Sequence, residues 1–162
     1  MVDLSGSTNC DFSSTVPIGD VNGDGLENTI LDAQVIAIQD LLTSIAESET
    51  LNNTNCEIEL ITFESGALSH SIWKPLNNAG EGAGGDAFNP ELLEHIKNLR
   101  ASGKTNFDEA LDLTVEYFQY RATPNRTNLL VFMSDGEPNI EGVSFIWLKE
   151  GMGEGFCFGE LV

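Results

Sequence analysis

Three polar side chains stand at every second position near the start of the chain: Asp3, Ser5 and Ser7, in the sequence MVDLSGS. The two residues before them, Met1 and Val2, are apolar, so the motif follows what reads as the end of a strand. Carboxylate and hydroxyl oxygens at alternate positions can converge on one point. Because hard divalent cations prefer oxygen ligands, the spacing predicts one part of a metal site.

Two remote segments could supply the remaining ligands. Ser134 and Asp135 directly follow the apolar run NLLVFM, and Thr105 stands just before a predicted helix. In an open α/β sheet, ligands collect at the carboxyl ends of the strands. Two carboxylates and three hydroxyls form an all-oxygen set suited to Mg²⁺ or Mn²⁺. The predicted ligands of this metal site are Asp3, Ser5, Ser7, Thr105 and Asp135.

A second oxygen-rich cluster lies in GDVNGDGLENTILD, residues 19–32. Its first half resembles the start of an EF-hand calcium loop, and also dockerin-type repeats, with Gly25 at the sharp turn. Position 12 is Leu31, which is not an acid, so Asp32 would act one residue later. The predicted Ca²⁺ ligands are Asp20, Asn22, Asp24, the Leu26 carbonyl, Asn28 and Asp32. The alternative is a loop of Asx turns that caps the next helix without a metal.

Apolar periodicity predicts three helices. They cover Thr29 to about Ser48, residues 90–101 with Pro90 in the first turn, and about Phe107 to Arg121, with Asn106 or Thr105 as the cap of the last. The segment CEIELITF (56–63) predicts a strand that pairs with LSHSIWKPL (68–76) across ESGA. NLLVFM predicts a strand buried on both faces. This alternation predicts a doubly wound α/β fold with a mostly parallel sheet and helices on both faces.

The composition excludes several classes of function. The 26 acidic residues outnumber the seven Lys and Arg, and the formal net charge of −19 argues against binding nucleic acid or anionic lipid. Three cysteines, Cys10, Cys56 and Cys157, are too widely spaced for a disulfide framework or a CxxC metal site. No stretch is long and apolar enough for a membrane span.

Three segments, in this order, resemble the von Willebrand factor type A domain and its metal-ion-dependent adhesion site. DLSGS is similar to the family's DxSxS motif, GKTNFDEAL to its Thr-containing segment, and LLVFMSDGEPN to its fourth strand and the following Asp. The resemblance implies a Rossmann-like fold and a binding role, not an enzyme. It also implies that the same five residues hold the metal, some of them through water. A protein or matrix ligand then presents a carboxylate to that metal.

The expected organisation is a partial type A domain over residues 1–141, with the calcium loop inserted at about 19–32, and an atypical tail rich in Gly and aromatics over 142–162. The family has more strands than this sequence supplies. We therefore expect a fragment, incomplete at both ends, of a large secreted or surface bacterial protein such as an adhesin, with its signal outside this chain. Calcium at micromolar to millimolar levels favours that setting.

Two alternative functions remain open at this point. A hydrolase would use the held metal to activate water and would need a general base, for which Glu137 is the only nearby acid. An intracellular scaffold could use the same fold, although the calcium loop argues against it. His70 and His95 have no second His or Cys near them in sequence, so we predict that they are surface or half-buried residues.

Overall fold

Helices alternate with short strands along the chain. The structure is a computed structural model that describes residues 1–47, 57–70, 90–121 and 129–136. A 3-10 turn, Gly6–Asn9, follows the first strand. The elements of the described residues are β1 (Val2–Asp3), α1 (Ile30–Glu47), β2 (Ile61–Phe63), β3 (Ala67–Ser69), α2 (Pro90–Lys97) and α3 (Phe107–Arg121).

The three predicted helices are confirmed, and side-chain caps fix where two of them begin. At α1 the hydroxyl of Thr29 accepts the amide N–H of Asp32 (3.0 Å), and the Asp32 carboxylate accepts the amide of Thr29 (2.8 Å). This reciprocal pair is a capping box with Asp in place of Glu. At α3 the side-chain oxygen of Asn106 accepts the amide of Glu109 (3.3 Å), so Asn106 caps that helix.

β1 has a pairing partner on each side. It pairs with β2 in parallel, with Val2 opposite Thr62, and β2 pairs with β3 as an antiparallel hairpin. On its other side, Val2 forms a parallel bridge with Met133, and the Asp3 amide donates to the Met133 carbonyl (3.0 Å). The carboxyl ends of β1, β2 and the Met133 segment therefore meet at one edge of the sheet.

The core consists of two apolar clusters on opposite faces of this sheet. Val2 and Leu60 pack against α1 and α2, whereas their neighbours Met1 and Ile61 pack against α3. This alternation follows from the two-residue period of a strand. Helices therefore cover both faces, as predicted, and β1 is held from above and below at the point where the DLSGS motif begins.

The strands depart from the predictions. Among the described residues the sheet is mixed, with three strands, and β2 begins only at Ile61. The described part of NLLVFM forms a single bridge instead of a strand, and Leu129 is 72% exposed rather than buried. β1 offers only two ladder residues, so among the described residues most of the run has no strand to pair with. Leu130 and Phe132 still pack on the α3 side and Met133 on the other, which keeps the run against the sheet.

Several predictions fall outside the described residues. These are the tail at 142–162, Glu137, and the second half of the hairpin segment, residues 71–76. Within the described part of the chain, no helix combines the length and the apolar content needed to cross a bilayer.

Candidate metal centre

Asp3 lies at the end of β1 with its side chain fully buried (0% exposed). One carboxylate oxygen accepts the backbone amide of Ser5 (2.8 Å), and the other accepts the hydroxyl of Ser134 (2.6 Å). Ser134 comes from the segment that pairs with β1, so this bond joins two of the three motif segments. Sequence reasoning placed Ser134 beside the site but gave it no role; its hydroxyl orients Asp3.

A second chain of hydrogen bonds runs from Ser5 to Asp135. The hydroxyls of Ser5 and Ser7 lie 3.0 Å apart, and the Ser7 hydroxyl donates to Asp135 (3.1 Å). The 3-10 turn that starts after Ser5 brings the two serines together, because the amide and hydroxyl of Thr8 both donate to the Ser5 carbonyl (3.0 and 2.8 Å). Hydrogen bonds thus link Asp135, remote in sequence, to the two serines of the DLSGS motif.

Thr105 reaches this edge of the sheet on the loop before α3. The amide of Ser102 donates to the Leu4 carbonyl (2.6 Å), and the Gly103 carbonyl accepts the amide of Gly6 (3.1 Å). On the other side of the loop, the amide of Asn106 donates to the Glu64 carbonyl (2.8 Å). The loop is therefore held between the DLSGS turn and the end of β2, and Thr105 within it is 2% exposed.

The burial of the Asp3 carboxylate indicates whether these residues could hold a cation. Burying a carboxylate costs several kcal/mol unless an opposite charge or strong hydrogen bonds offset the loss of water. Asp3 receives two hydrogen bonds, and no cationic side chain of the described residues pairs with it. An all-oxygen group containing a second carboxylate, Asp135, lies beside it, so the donor set fits a hard divalent ion.

The family model for the von Willebrand factor type A domain matches residues 1–137. The chain belongs to this family. Type A domains have an α/β Rossmann-like fold, and they serve generally as protein-interaction or adhesion modules, often metal-dependent and mostly non-enzymatic. The small mixed sheet with helices on both faces is consistent with that fold. Comparisons with curated proteins and with solved structures found no match.

The inserted loop of this type A domain brings together the first half of the predicted calcium motif. Asp20 accepts the amides of Asp24 and Gly25 (both 3.0 Å), and the Asn22 side-chain oxygen also accepts the Asp24 amide (3.2 Å). The Asn22 side-chain amide donates to Asp24 (3.1 Å). The oxygens of Asp20, Asn22 and Asp24 are therefore grouped around one turn, and the positive φ of Gly25 (90°) provides the bend.

Two predicted calcium ligands, Asp32 and Asn28, use their side-chain oxygens to accept hydrogen bonds within the protein. The Asp32 carboxylate accepts four donors: the amides of Val21 and Asn22, and the amide and hydroxyl of Thr29. A carboxylate has about four lone-pair positions, so Asp32 has none left for a cation. The Asn28 oxygen likewise accepts the amides of Ile18 and Gly19 (2.7 and 2.9 Å). In this structure Asn28 and Asp32 close the loop and start α1, and their role as calcium ligands stays a prediction.

Arg100 ties the inserted loop to the segment that carries Thr105. Its guanidinium donates to the carbonyls of Asn22 (2.8 Å) and Gly23 (3.3 Å), and the Asn22 side chain donates to the Leu99 carbonyl (3.1 Å). This link could not be read from the sequence, because the partners lie 77 or 78 residues apart. The two predicted cation positions are thereby joined through residues 99–105.

His70 and His95 meet in space. Their ring centroids lie 4.3 Å apart, with the planes at 56°, and the ring of His70 also contacts the hydroxyl of Thr62 (2.8 Å). Both rings are half-buried, as predicted. Their proximity could not be read from the sequence, since His70 follows β3 and His95 lies on a later element, α2. Burial, and secondarily the charge of His95, lowers the pKa of His70 below its ordinary value of 6.5.

We expect this pair to destabilise the protein in acid. The unfolded chain takes up a proton at His70 near pH 6.5, whereas the native state resists it until a lower pH, so the free energy of unfolding falls across that window. In a His95→Gln variant the neighbouring charge is gone, and the pKa of His70 should rise toward its ordinary value. Histidine-ring NMR titration measures this pKa, and an unchanged value in the variant would contradict the assigned cause.

Proposed function

We propose that this chain is a metal-dependent binding module whose adhesion site holds Mg²⁺ or Mn²⁺ through Asp3, Ser5, Ser7, Thr105 and Asp135. A carboxylate on a protein or matrix partner would complete the coordination. The observation that carries the proposal is the fully buried Asp3 carboxylate, which receives hydrogen bonds but no described cationic partner. A divalent ion would offset that buried charge.

The gradient of exposure across the group supports a role in binding. Asp3, Ser5 and Thr105 are buried, Asp135 is half-buried and Ser7 is exposed. Residues on the buried side would hold and orient the ion, while the exposed side leaves room for water or a partner. When bound, the ion would supply an electrophilic position that accepts an acidic group.

The experiment uses Mn²⁺ and the tag-free chain. Bound Mn²⁺ is followed by its effect on the relaxation of water protons, which depends on the number of exchangeable waters on the ion. Acetate, standing for the partner's carboxylate, should displace a water and lower the relaxation enhancement. Acetamide, which has nearly the same shape and no charge, should have little effect at matched ionic strength. Equal responses to the two compounds would contradict the carboxylate as the recognised group.

We also propose that the inserted loop binds Ca²⁺ through Asp20, Asn22, Asp24 and the carbonyl of Leu26. The support is the grouping of three oxygen-bearing side chains around the turn at Gly25. With Asn28 and Asp32 engaged elsewhere, fewer ligands remain than in a complete EF-hand loop, so affinity in the millimolar range is expected. Calcium at that level is typical outside cells, which supports a secreted or surface setting for the natural protein.

Millimolar Ca²⁺ should raise the melting temperature of the calcium-free chain, and Asp24→Ala should remove the effect because it deletes a central ligand. The measurement is made in saturating Mg²⁺, so that the adhesion site does not contribute. Glu27→Ala is the matched control, since Glu27 is an exposed acid of the same loop outside the ligand set. Equal calcium responses in the two variants would assign the effect to the general acidity of the loop.

The hydrolase alternative has its own test. Type A domains are mostly non-enzymatic. Turnover of a phosphoester by the purified chain, lost in Asp3→Asn, would favour an enzyme over a binding module.

A further inference from the structure

His70 and His95 stand on two elements that the core holds firmly. The amide of His70, directly after β3, donates to the Leu60 carbonyl (2.9 Å), which fixes its backbone to the neighbouring strand. His95 lies on α2, whose Leu92 and Ile96 are each only 1% exposed in the core. Leu60, Leu92 and Ile96 belong to the same buried cluster, so the core holds the backbones of the two histidines near each other.

The two rings line a cavity of about 420 Å³, which also includes Glu64, Glu109 and Arg100. Two carboxylates against one guanidinium leave the cavity favourable to a cation. That guanidinium is moreover engaged with the carbonyls of the inserted loop. Water and a small ion can therefore occupy the cavity that the two imidazole rings line.

Thr62 provides the kind of partner that orients an imidazole ligand. Its hydroxyl lies 2.8 Å from Nε2 of His70, and Thr62 is itself buried in β2. When Nε2 donates its proton to this hydroxyl, Nδ1 carries no proton, and its lone pair can bind a metal ion. Histidines that bind metals usually donate their other N–H in this way, which fixes the tautomer and the ring plane.

We propose that His70 and His95 form a two-imidazole site for a late first-row divalent cation such as Zn²⁺, with water completing the coordination. Imidazole nitrogen binds Zn²⁺ at about 2.0–2.1 Å, so one ion can reach both rings when they lie side by side. Mg²⁺ and Ca²⁺ prefer oxygen ligands. This site is therefore distinct from the adhesion site in ligand chemistry, and it does not depend on the proposed function.

Zn²⁺ binding to the tag-free chain is measured by calorimetry in saturating Mg²⁺, which occupies the oxygen sites. His70→Gln and His95→Gln should each weaken Zn²⁺ binding at least about 10-fold, as loss of even an orienting partner does. Thr62→Val should weaken it while both histidines remain. Cys10→Ser, which removes an exposed thiol, should leave it unchanged. Zn²⁺ binding that both histidine variants retain would overturn the proposal.

A measurement on the unaltered chain covers the case in which a histidine variant fails to fold. The sequence contains only two histidines, so the ring signals in an NMR spectrum belong to this pair. Zn²⁺ should shift both sets together at one equivalent. If neither ring shifts, or if only one ring shifts, the two-imidazole site is overturned.

Discussion

Asp3→Asn is expected to lower the affinity of the chain for Mn²⁺ by roughly 100-fold, equivalent to about 2.8 kcal/mol. The carboxylate is the only fully buried charge of the proposed site, and Asn keeps an oxygen for the Ser5 amide while removing the charge. Calorimetric titration with Mn²⁺ measures the change. Asp112→Asn, on the exposed face of α3, removes the same formal charge far from the site and should bind as the unaltered chain does.

In the metal-free protein, by contrast, Asp3→Asn should not reduce stability. Without an ion, the Asp3 carboxylate is a buried charge with no described cationic partner, so Asn at this position should leave the melting temperature unchanged or raise it. Adding Mg²⁺ should then stabilise the unaltered chain and not the variant. A variant that is strongly destabilised without metal, yet binds Mn²⁺ normally, would make Asp3 a structural residue and remove the basis of the adhesion site.

The sequence predicted the helices better than the strands, for a physical reason. α3 runs from Phe107 to Arg121 as expected, because a long amphipathic pattern and a capping residue are local signals. A strand exists only where another strand pairs with it. The apolar run that ends at Met133 has strand composition, but β1 gives it one bridge, so its local sequence overestimated its pairing.

The same distinction applies to the sites. The closeness of the motif segments could be anticipated, because DLSGS and Asp135 each follow a recognisable apolar segment, and β1 and the Met133 segment run in parallel to the same edge. The hydrogen bonds of Asn28 and Asp32 could not be read from the sequence, because spacing does not reveal which nearby amides donate to their oxygens. The pairing of His70 with His95 depends wholly on tertiary packing, which brings the residue after β3 beside α2.

Gly103→Ala is expected to reduce the free energy of unfolding by about 2–4 kcal/mol. Gly103 has a φ of +71°, which costs an L-residue about 1–2 kcal/mol. An added methyl group would also collide with the Glu64 carboxylate and the Ser65 hydroxyl. Those groups accept hydrogen bonds from Ser102 and Lys104, each worth about 1 kcal/mol, and moving them weakens both bonds. Urea unfolding measures the loss.

Gly19→Ala is the matched control, because Gly19 has a similar φ of +79° but an added methyl group there meets nothing within 4 Å. It should show only the backbone cost, about 1–2 kcal/mol. Gly103→Ala should in addition weaken Mn²⁺ binding, since the Gly103 carbonyl anchors the loop that carries Thr105 to the amide of Gly6. Equal destabilisation by the two substitutions would mean that Glu64 and Ser65 move aside freely. Unaltered Mn²⁺ affinity in Gly103→Ala would separate Thr105 from the metal.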